Sequence, residues 1–195
     1  ILFENNLVFK IMKPIPLYSL VIFPTIEQQY LIKSFKKSLK DNISWFGSAN
    51  SDAHITIINL ENELTLGLYI NQIKDFCKTI IPQKVRFNSF SSFAHQTFFI
   101  SPDEKSQLYL NMIIIDIHKS IGFSIKNAHA HMTIARGLDN ERMKKAQEQF
   151  RTIEINFEFV WESVYLGSSL PKNEITWSLQ FYFKFDLKNS YSDYL

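Results

Sequence analysis

The chain has 195 residues, of which 46% are apolar, 15% aromatic and 21% charged. That is globular composition; it excludes a disordered or collagen-like chain, and the length suits one domain or two small lobes sharing a core. The 21 Lys plus Arg against 19 Asp plus Glu leave a net charge of +2, too small for a protein that coats DNA, although a local basic face stays open.

The run from Pro14 to Pro24 reads as a strand bounded by prolines. Its apolar stretch, Ile15 to Phe23, is too short to span a bilayer, and no small-residue cleavage site follows it, so neither a membrane anchor nor a secretory signal is expected. Met12 precedes it, and residues 1–13 read as an N-terminal extension. Residues 27–41 read as a helix with Leu31, Ile32, Phe35 and Leu39 on the apolar face. Lys33, Lys36, Lys37 and Lys40 are assigned to the opposite, solvated face. His54 to Leu60 is a β-branched strand, and residues 66–81 return to helical spacing. Cys77 falls on that helix's apolar stripe and reads as a buried, inert thiol. As the only cysteine it excludes an internal disulfide and a multi-cysteine zinc finger, and it fits a reducing, cytoplasmic location.

Residues 84–90 and 93–100 read as two strands joined near Ser91-Ser92. Ser101-Pro102-Asp103-Glu104 reads as a helix start, with the serine as cap. That helix runs to about Ile121, with a stripe of Leu108, Met112, Ile115 and Ile117, and ends at Gly122. His118 near its end suits the helix dipole. His95 reads as structural or exposed. His129 to Ala135 is the next strand, and Asp139 caps a helix over 140–150. Strands over 155–161, 163–168 and 175–185 close the chain, with a turn at Pro171-Lys172-Asn173 and a tail over 186–195. Helices mixed with hairpins favour α+β over a doubly wound parallel sheet. No linker divides the chain, so 14–185 is taken as a single two-lobed domain.

Two segments carry the same pattern, His54-Ile55-Thr56-Ile57 and His131-Met132-Thr133-Ile134. Strand side chains alternate faces, so each His-x-Thr places an imidazole and a hydroxyl on one side. Two such strands side by side surround a groove with two imidazoles and two hydroxyls. One imidazole can act as general base and the other as general acid, while the hydroxyls hold phosphoryl oxygens. No metal or other cofactor is needed for that chemistry.

On these motifs the chain resembles the two-histidine phosphoesterases, the superfamily of the 2′-5′ RNA ligase-like (LigT-like) and cyclic phosphodiesterase proteins. The resemblance extends to Arg136 closing the second motif, to Phe90–Ile100 with its Phe98-Phe99 pair, and to Val164–Leu170 with Trp177 and Phe181. It covers roughly residues 14–185. Relatives often carry proline before each motif histidine, where this chain has Ala53 and Ala130. The resemblance implies two pseudo-symmetric lobes, each an antiparallel sheet with outer helices, around a central groove. It implies a metal-independent phosphodiesterase acting on a 2′,3′-cyclic phosphate or a 2′-5′ linkage in RNA or a small nucleotide. His54 and His131 would be catalytic, and Thr56 and Thr133 would bind the phosphate. His129, Arg136 and Trp45 are candidate substrate contacts; Trp45 could stack a base, or pack onto the lobe with Phe46. Arg136 lies one residue out of phase with His131, Thr133 and Ala135, and reaches the phosphate only from the strand end. Two rival readings remain. One is a nucleotide- or RNA-binding module that keeps the groove without turnover. The other is a metal hydrolase built on His54, His129 and His131.

Overall fold

The computed structural model of the protein describes residues 18–61, 63–94, 96–169 and 177–184. The N-terminal extension, Pro14 and Pro16, His95, the turn at Pro171–Asn173 and the C-terminal tail lie outside the described residues. The elements, in order, are β1 (Tyr18–Ile22), α1 (Ile26–Ile43), β2 (Ile55–Leu60), α2 (Glu63–Cys77), β3 (Gln83–Phe93), β4 (Thr97–Pro102), α3 (Glu104–Ser120), β5 (Met132–Arg136), α4 (Asn140–Phe150), β6 (Phe157–Trp161), β7 (Ser163–Ser169) and β8 (Trp177–Lys184). They form an α+β fold. Among the described residues no helix is long and apolar enough to cross a membrane.

Among the described residues the strands make one eight-stranded sheet in the order β6-β3-β4-β5-β2-β1-β7-β8. Every neighbouring pair is antiparallel. The order is symmetric about its middle: β4-α3-β5-α4 occupies one half as β1-α1-β2-α2 occupies the other. The halves meet where β2 pairs with β5 at one position, Ile55 opposite Met132. Both side chains are buried in a core shared with all four helices.

Local chemistry sets the helix ends. Thr25 and Gln28 form a reciprocal capping box before α1. The Asp139 carboxylate accepts from the Arg142 backbone N–H at 2.8 Å, as the sequence suggests. Before α3 the cap is Asp103, which accepts from the Ser106 N–H at 2.8 Å. Ser101 is not the cap: it and Pro102 still belong to β4, where Pro102 lies opposite Phe87. α3 ends at Ser120 with Ile121 as its cap, and the chain leaves it through Gly122, whose φ of +82° is the left-handed conformation that glycine adopts at least cost.

The buried face of α3 is Leu110, Ile113, Ile114 and Ile117, one step round from the expected stripe; Leu108 and Met112 are exposed. The expected strand break at Ser91-Ser92 is absent. Those residues pair with Phe99 and Phe98 inside β3, and the chain turns after Phe93, with the Gln96 N–H returning to the Phe93 carbonyl. Cys77 is buried, and burial pushes its thiol up to about 12, which makes it inert. The aromatic excess packs as clusters: Phe87 stacks on Phe157 and Phe159, and Phe35, Phe90, Phe98 and Phe150 form a second group.

Candidate active site

The two His-x-Thr motifs lie at the seam between the halves. Ile55 and Met132 point into the core, so their neighbours point to the opposite face. Carrying the antiparallel register one residue each way sets His54 alongside Thr133 and Thr56 alongside His131. All four side chains are half-buried. The rings also sense each other: a charge on His131 disfavours a proton on His54.

The aliphatic residue that closes each motif has a structural task. In the β1–β2 pair the register slips by one, because Leu20 faces Ile58 while Val21 faces Thr56. The extra residue is Ile57. In the β4–β5 pair Phe98 faces Ala135 while Phe99 faces Thr133, and the extra residue is Ile134. Each is a β-bulge placed directly after the motif threonine. Both bulges bury two consecutive residues, Ile57-Ile58 and Ile134-Ala135. The second corrects the phase of Arg136. Past the bulge, Arg136 lies opposite Thr97, two residues before the Phe99 that faces Thr133. It therefore returns to the face of His131 and Thr133 rather than standing out of phase. Because β2 and β5 run antiparallel, it lies at the His54 end, where its charge helps keep His54 neutral.

Both imidazoles are held the same way. His54 Nδ1 lies 2.8 Å from the Asp52 carbonyl, and His131 Nδ1 lies 2.7 Å from the His129 carbonyl. A carbonyl only accepts, so Nδ1 carries a proton in each ring and Nε2 is the nitrogen that exchanges protons. Burial, with the Lys36, Arg136 and His131 charges acting in the same direction, pushes His54 down to about 4 against the opposing pull of the Asp52 carbonyl. Burial also lowers His131, aided by His129 and opposed by the His129 carbonyl. The His131 ring packs against Phe93 and Phe99, with centroids 4.9 and 5.0 Å away, and the His54 ring against Phe23 at 6.2 Å.

The remaining sequence candidates separate. His129 is exposed beside Phe93, with its ring 6.3 Å from that of His131. Among the described residues no three His, Cys, Asp or Glu side chains are grouped to hold a metal ion. Trp45 and Phe46 part company: Phe46 is buried, while Trp45 is 58% exposed. Trp45 lines a cavity of about 540 Å³ with Gly47, Thr97, Arg136 and Arg142. A second cavity, of about 470 Å³, opens beside Phe23, Asp52 and Tyr165. His118 stays in its helix, with Nδ1 2.7 Å from the Ile114 carbonyl.

Lys36 needs the largest correction. Instead of standing on a solvated face it is 2% exposed, and its ammonium donates to the carbonyls of Ser48 and Ser51 and to Ser51 Oγ. Lys33, Lys37 and Lys40 remain exposed. A signal for the burial was present: Lys36 lies four residues after Ile32 and three before Leu39, in the stripe that continues to Ile43.

Residues 24–170 match the model of the 2′-5′ RNA ligase superfamily. The chain belongs to this superfamily of LigT-like, two-histidine phosphoesterases. Its fold is similar to that of TT0787 from Thermus thermophilus, with a TM-score of 0.60, 12% identity, and 86% of this chain and 97% of that one covered. E. coli LigT complexed with 3′-AMP gives 0.57 and 10%, over 87% and 97% of the two chains. E. coli LigT complexed with NADP+ gives 0.60 and 10%, over 87% and 98%. No curated protein matches the chain by sequence.

In this superfamily member the alanine before the second motif histidine can be read physically. The Ala130 N–H donates to Asn111 Oδ1 at 2.9 Å, a bond that proline cannot make. Ala130→Pro is expected to cost about 0.5–1.5 kcal/mol, the net worth of one hydrogen bond, since half-buried Asn111 Oδ1 still accepts from Gln107 Nε2 at 2.7 Å. That would lower the melting temperature by about 2–4 °C per kcal/mol. A thermal melt with no loss of stability would contradict this account.

Proposed function

We propose that the protein is a metal-independent phosphodiesterase that opens a 2′,3′-cyclic phosphate or cleaves a 2′-5′ linkage in an oligonucleotide or small nucleotide. The observation that carries this reading is the antiparallel pairing of the two His-x-Thr motifs, with both imidazoles tethered through Nδ1, which makes Nε2 the proton-exchanging atom of each ring. His54 is the base in the hydrolytic direction. Its surroundings, burial together with Lys36 and Arg136, favour the neutral ring more strongly than those of His131, where His129 adds to burial.

His54 Nε2 takes a proton from water as the water oxygen bonds to phosphorus. The P–O bond to the ribose breaks, and His131, protonated, gives its Nε2 proton to the departing ribose oxygen. Thr56 and Thr133 donate to the non-bridging oxygens, whose charge grows as the new bond forms. Arg136, at the His54 end, adds positive potential. Trp45 offers a base-stacking surface beside it, and His129 contacts the substrate on the His131 side. Ligation uses the same groups with a 5′-hydroxyl in place of water: His54 Nε2 takes its proton as that oxygen bonds to the phosphorus of a 2′,3′-cyclic phosphate, and His131 protonates the 3′ oxygen that departs. The nucleotides in the LigT complexes, 3′-AMP and NADP+, favour a nucleotide substrate.

The test is incubation with 2′,3′-cyclic, 3′,5′-cyclic and 2′-5′-linked nucleotides in chelator, followed by identification of the phosphate position in each product. Turnover of a 2′,3′-cyclic or 2′-5′-linked substrate, unchanged by chelator, is expected. Tight binding without turnover would replace the enzyme with a binding module. Loss in chelator with recovery on zinc addition would replace the mechanism.

A further inference from the structure

We infer that Lys36 is a positioning residue for His54, acting through the loop over residues 44–53 that carries the carbonyl holding that imidazole. The inference rests on the catalytic reading of His54 and extends it to a residue outside the motifs. Lys36 reaches from the middle of α1 into the loop and fastens it at two points. Its ammonium donates to the Ser48 carbonyl at 3.1 Å, to the Ser51 carbonyl at 2.8 Å and to Ser51 Oγ at 3.1 Å. The next residue, Asp52, offers its carbonyl to His54 Nδ1.

The same loop is also tied to the second motif's strand. Ser48 Oγ donates to the Ile134 carbonyl at 3.0 Å, at the bulge residue after Thr133. The Gly47 N–H donates to the Arg136 carbonyl at 3.1 Å. A Cβ on Gly47 would lie 3.3 Å from Arg136 Cγ, so the loop and the β5 end are closely fitted. The buried ammonium therefore sits at the centre of a bracket joining the Asp52 carbonyl, which holds His54, to the strand of Thr133.

A lysine is a costly way to anchor a loop. Burial pushes its ammonium down to about 8, with the Arg136 charge acting the same way and Asp52 opposing. Methionine would fill the space without that cost. What lysine adds is a set of donors for carbonyls turned inward, and a charge beside His54. His131 is held by the carbonyl of the exposed His129. The approach to His131 is anchored instead by a neutral side chain, Asn111 of α3, which accepts from the Ala130 N–H.

The test compares wild type with Lys36→Met and Lys36→Arg by nitrogen-detected NMR of the histidine rings, alongside kinetics. In wild type both His54 and His131 should be protonated at Nδ1 when neutral. In Lys36→Met, His54 should pass to a mixture of tautomers while His131 is unchanged, and kcat should fall about 10–100-fold. Lys36→Arg should restore the His54 tautomer and most of the rate. The charged groups acting on His54 are Lys36, Arg136 and His131, so its titration midpoint is followed in the same spectra. If Lys36→Met does not fold, Ser51→Ala removes one of the three bonds and should give a smaller change in the same sense. A His54 tautomer unmoved in the folded variant overturns the inference, and so does equal movement of both histidines. Failure of wild type to turn over any nucleotide would sink the functional reading instead, and leave the ring tautomers to judge Lys36.

Discussion

Alanine at His54 or at His131 is expected to cut turnover about 10²–10⁴-fold, the usual worth of general acid–base catalysis. The double variant should be little slower than the worse single. Once either proton carrier is gone the concerted path is lost, and removing the second takes away little more. Thr56→Val and Thr133→Val should cost less. Each deletes one hydrogen bond to a charged oxygen, about 1.5–3 kcal/mol or roughly 10–150-fold, while proton transfer stays in place. His118→Ala should leave the rate nearly unchanged, because its ring is engaged with the Ile114 carbonyl at the end of α3. Steady-state kinetics on a 2′,3′-cyclic nucleotide decides the matter. Strictly multiplicative losses at His54 and His131 would contradict a single acid–base unit, and an inactive His118→Ala would mean that the wrong histidines had been chosen.

The second large effect is the dependence on pH. In kcat/KM the acid limb should lie near 4, where burial and the Lys36 and Arg136 charges place His54, since below it the base is protonated. The alkaline limb should lie below the ordinary histidine value of about 6.5, because burial lowers His131 too and the acid is lost above its own midpoint. The optimum in kcat/KM should therefore be mildly acidic. Bound phosphate, being anionic, stabilises protonated His131 and should move the alkaline limb of kcat upward relative to that of kcat/KM. His131→Ala should remove the alkaline limb.

Stability carries the same signature. Between 6.5 and about 4 the unfolded chain binds a proton at residue 54 that the folded chain refuses. Stability is thus highest above 6.5 and declines as the pH falls to about 4, where both states become protonated. The slope from this group is at most about 1.4 kcal/mol per pH unit, less because the ring is only half-buried. Chemical denaturation across that range should show a shallower slope in His54→Gln. An unchanged slope would mean that residue 54 is not held neutral.

Much of the fold and the site is legible in the residues themselves. The motifs announce themselves because strand alternation turns a two-residue spacing into a shared face. Asp139 and Gly122 mark helix ends because their chemistry is local. The misreadings arise where a distant partner decides. Lys36 follows the helical stripe, but a charge is assigned to solvent unless the carbonyls that receive it are known, and those come from a loop more than ten residues on. Arg136 reads as out of phase because a bulge is a property of two strands, and β4 is not visible from β5. Ser91-Ser92 has turn composition, but in β3 its residues pair with Phe98 and Phe99. For α3, Leu108 and Met112 are apolar enough to mimic a core face, and only the position of the sheet distinguishes it from the true one. The carbonyls of Asp52 and His129 leave no side-chain signal.

The order of strands in the sheet also bears on how the chain is made. β6-β3-β4-β5 comes from one unbroken stretch, 83–161, whereas β2-β1-β7-β8 is completed only by strands beyond it. On the ribosome, β1 can pair with β2 early, but its other edge must wait until Ser163–Ser169 has emerged. During that interval an apolar strand, Leu20-Val21-Ile22, presents an open hydrogen-bonding edge, the kind of surface that recruits a second chain. The half synthesised first is thus the half closed last. A nascent chain arrested before Ser163 should depend on chaperones to stay unaggregated, whereas one released after β8, which covers the outer edge of β7, should not.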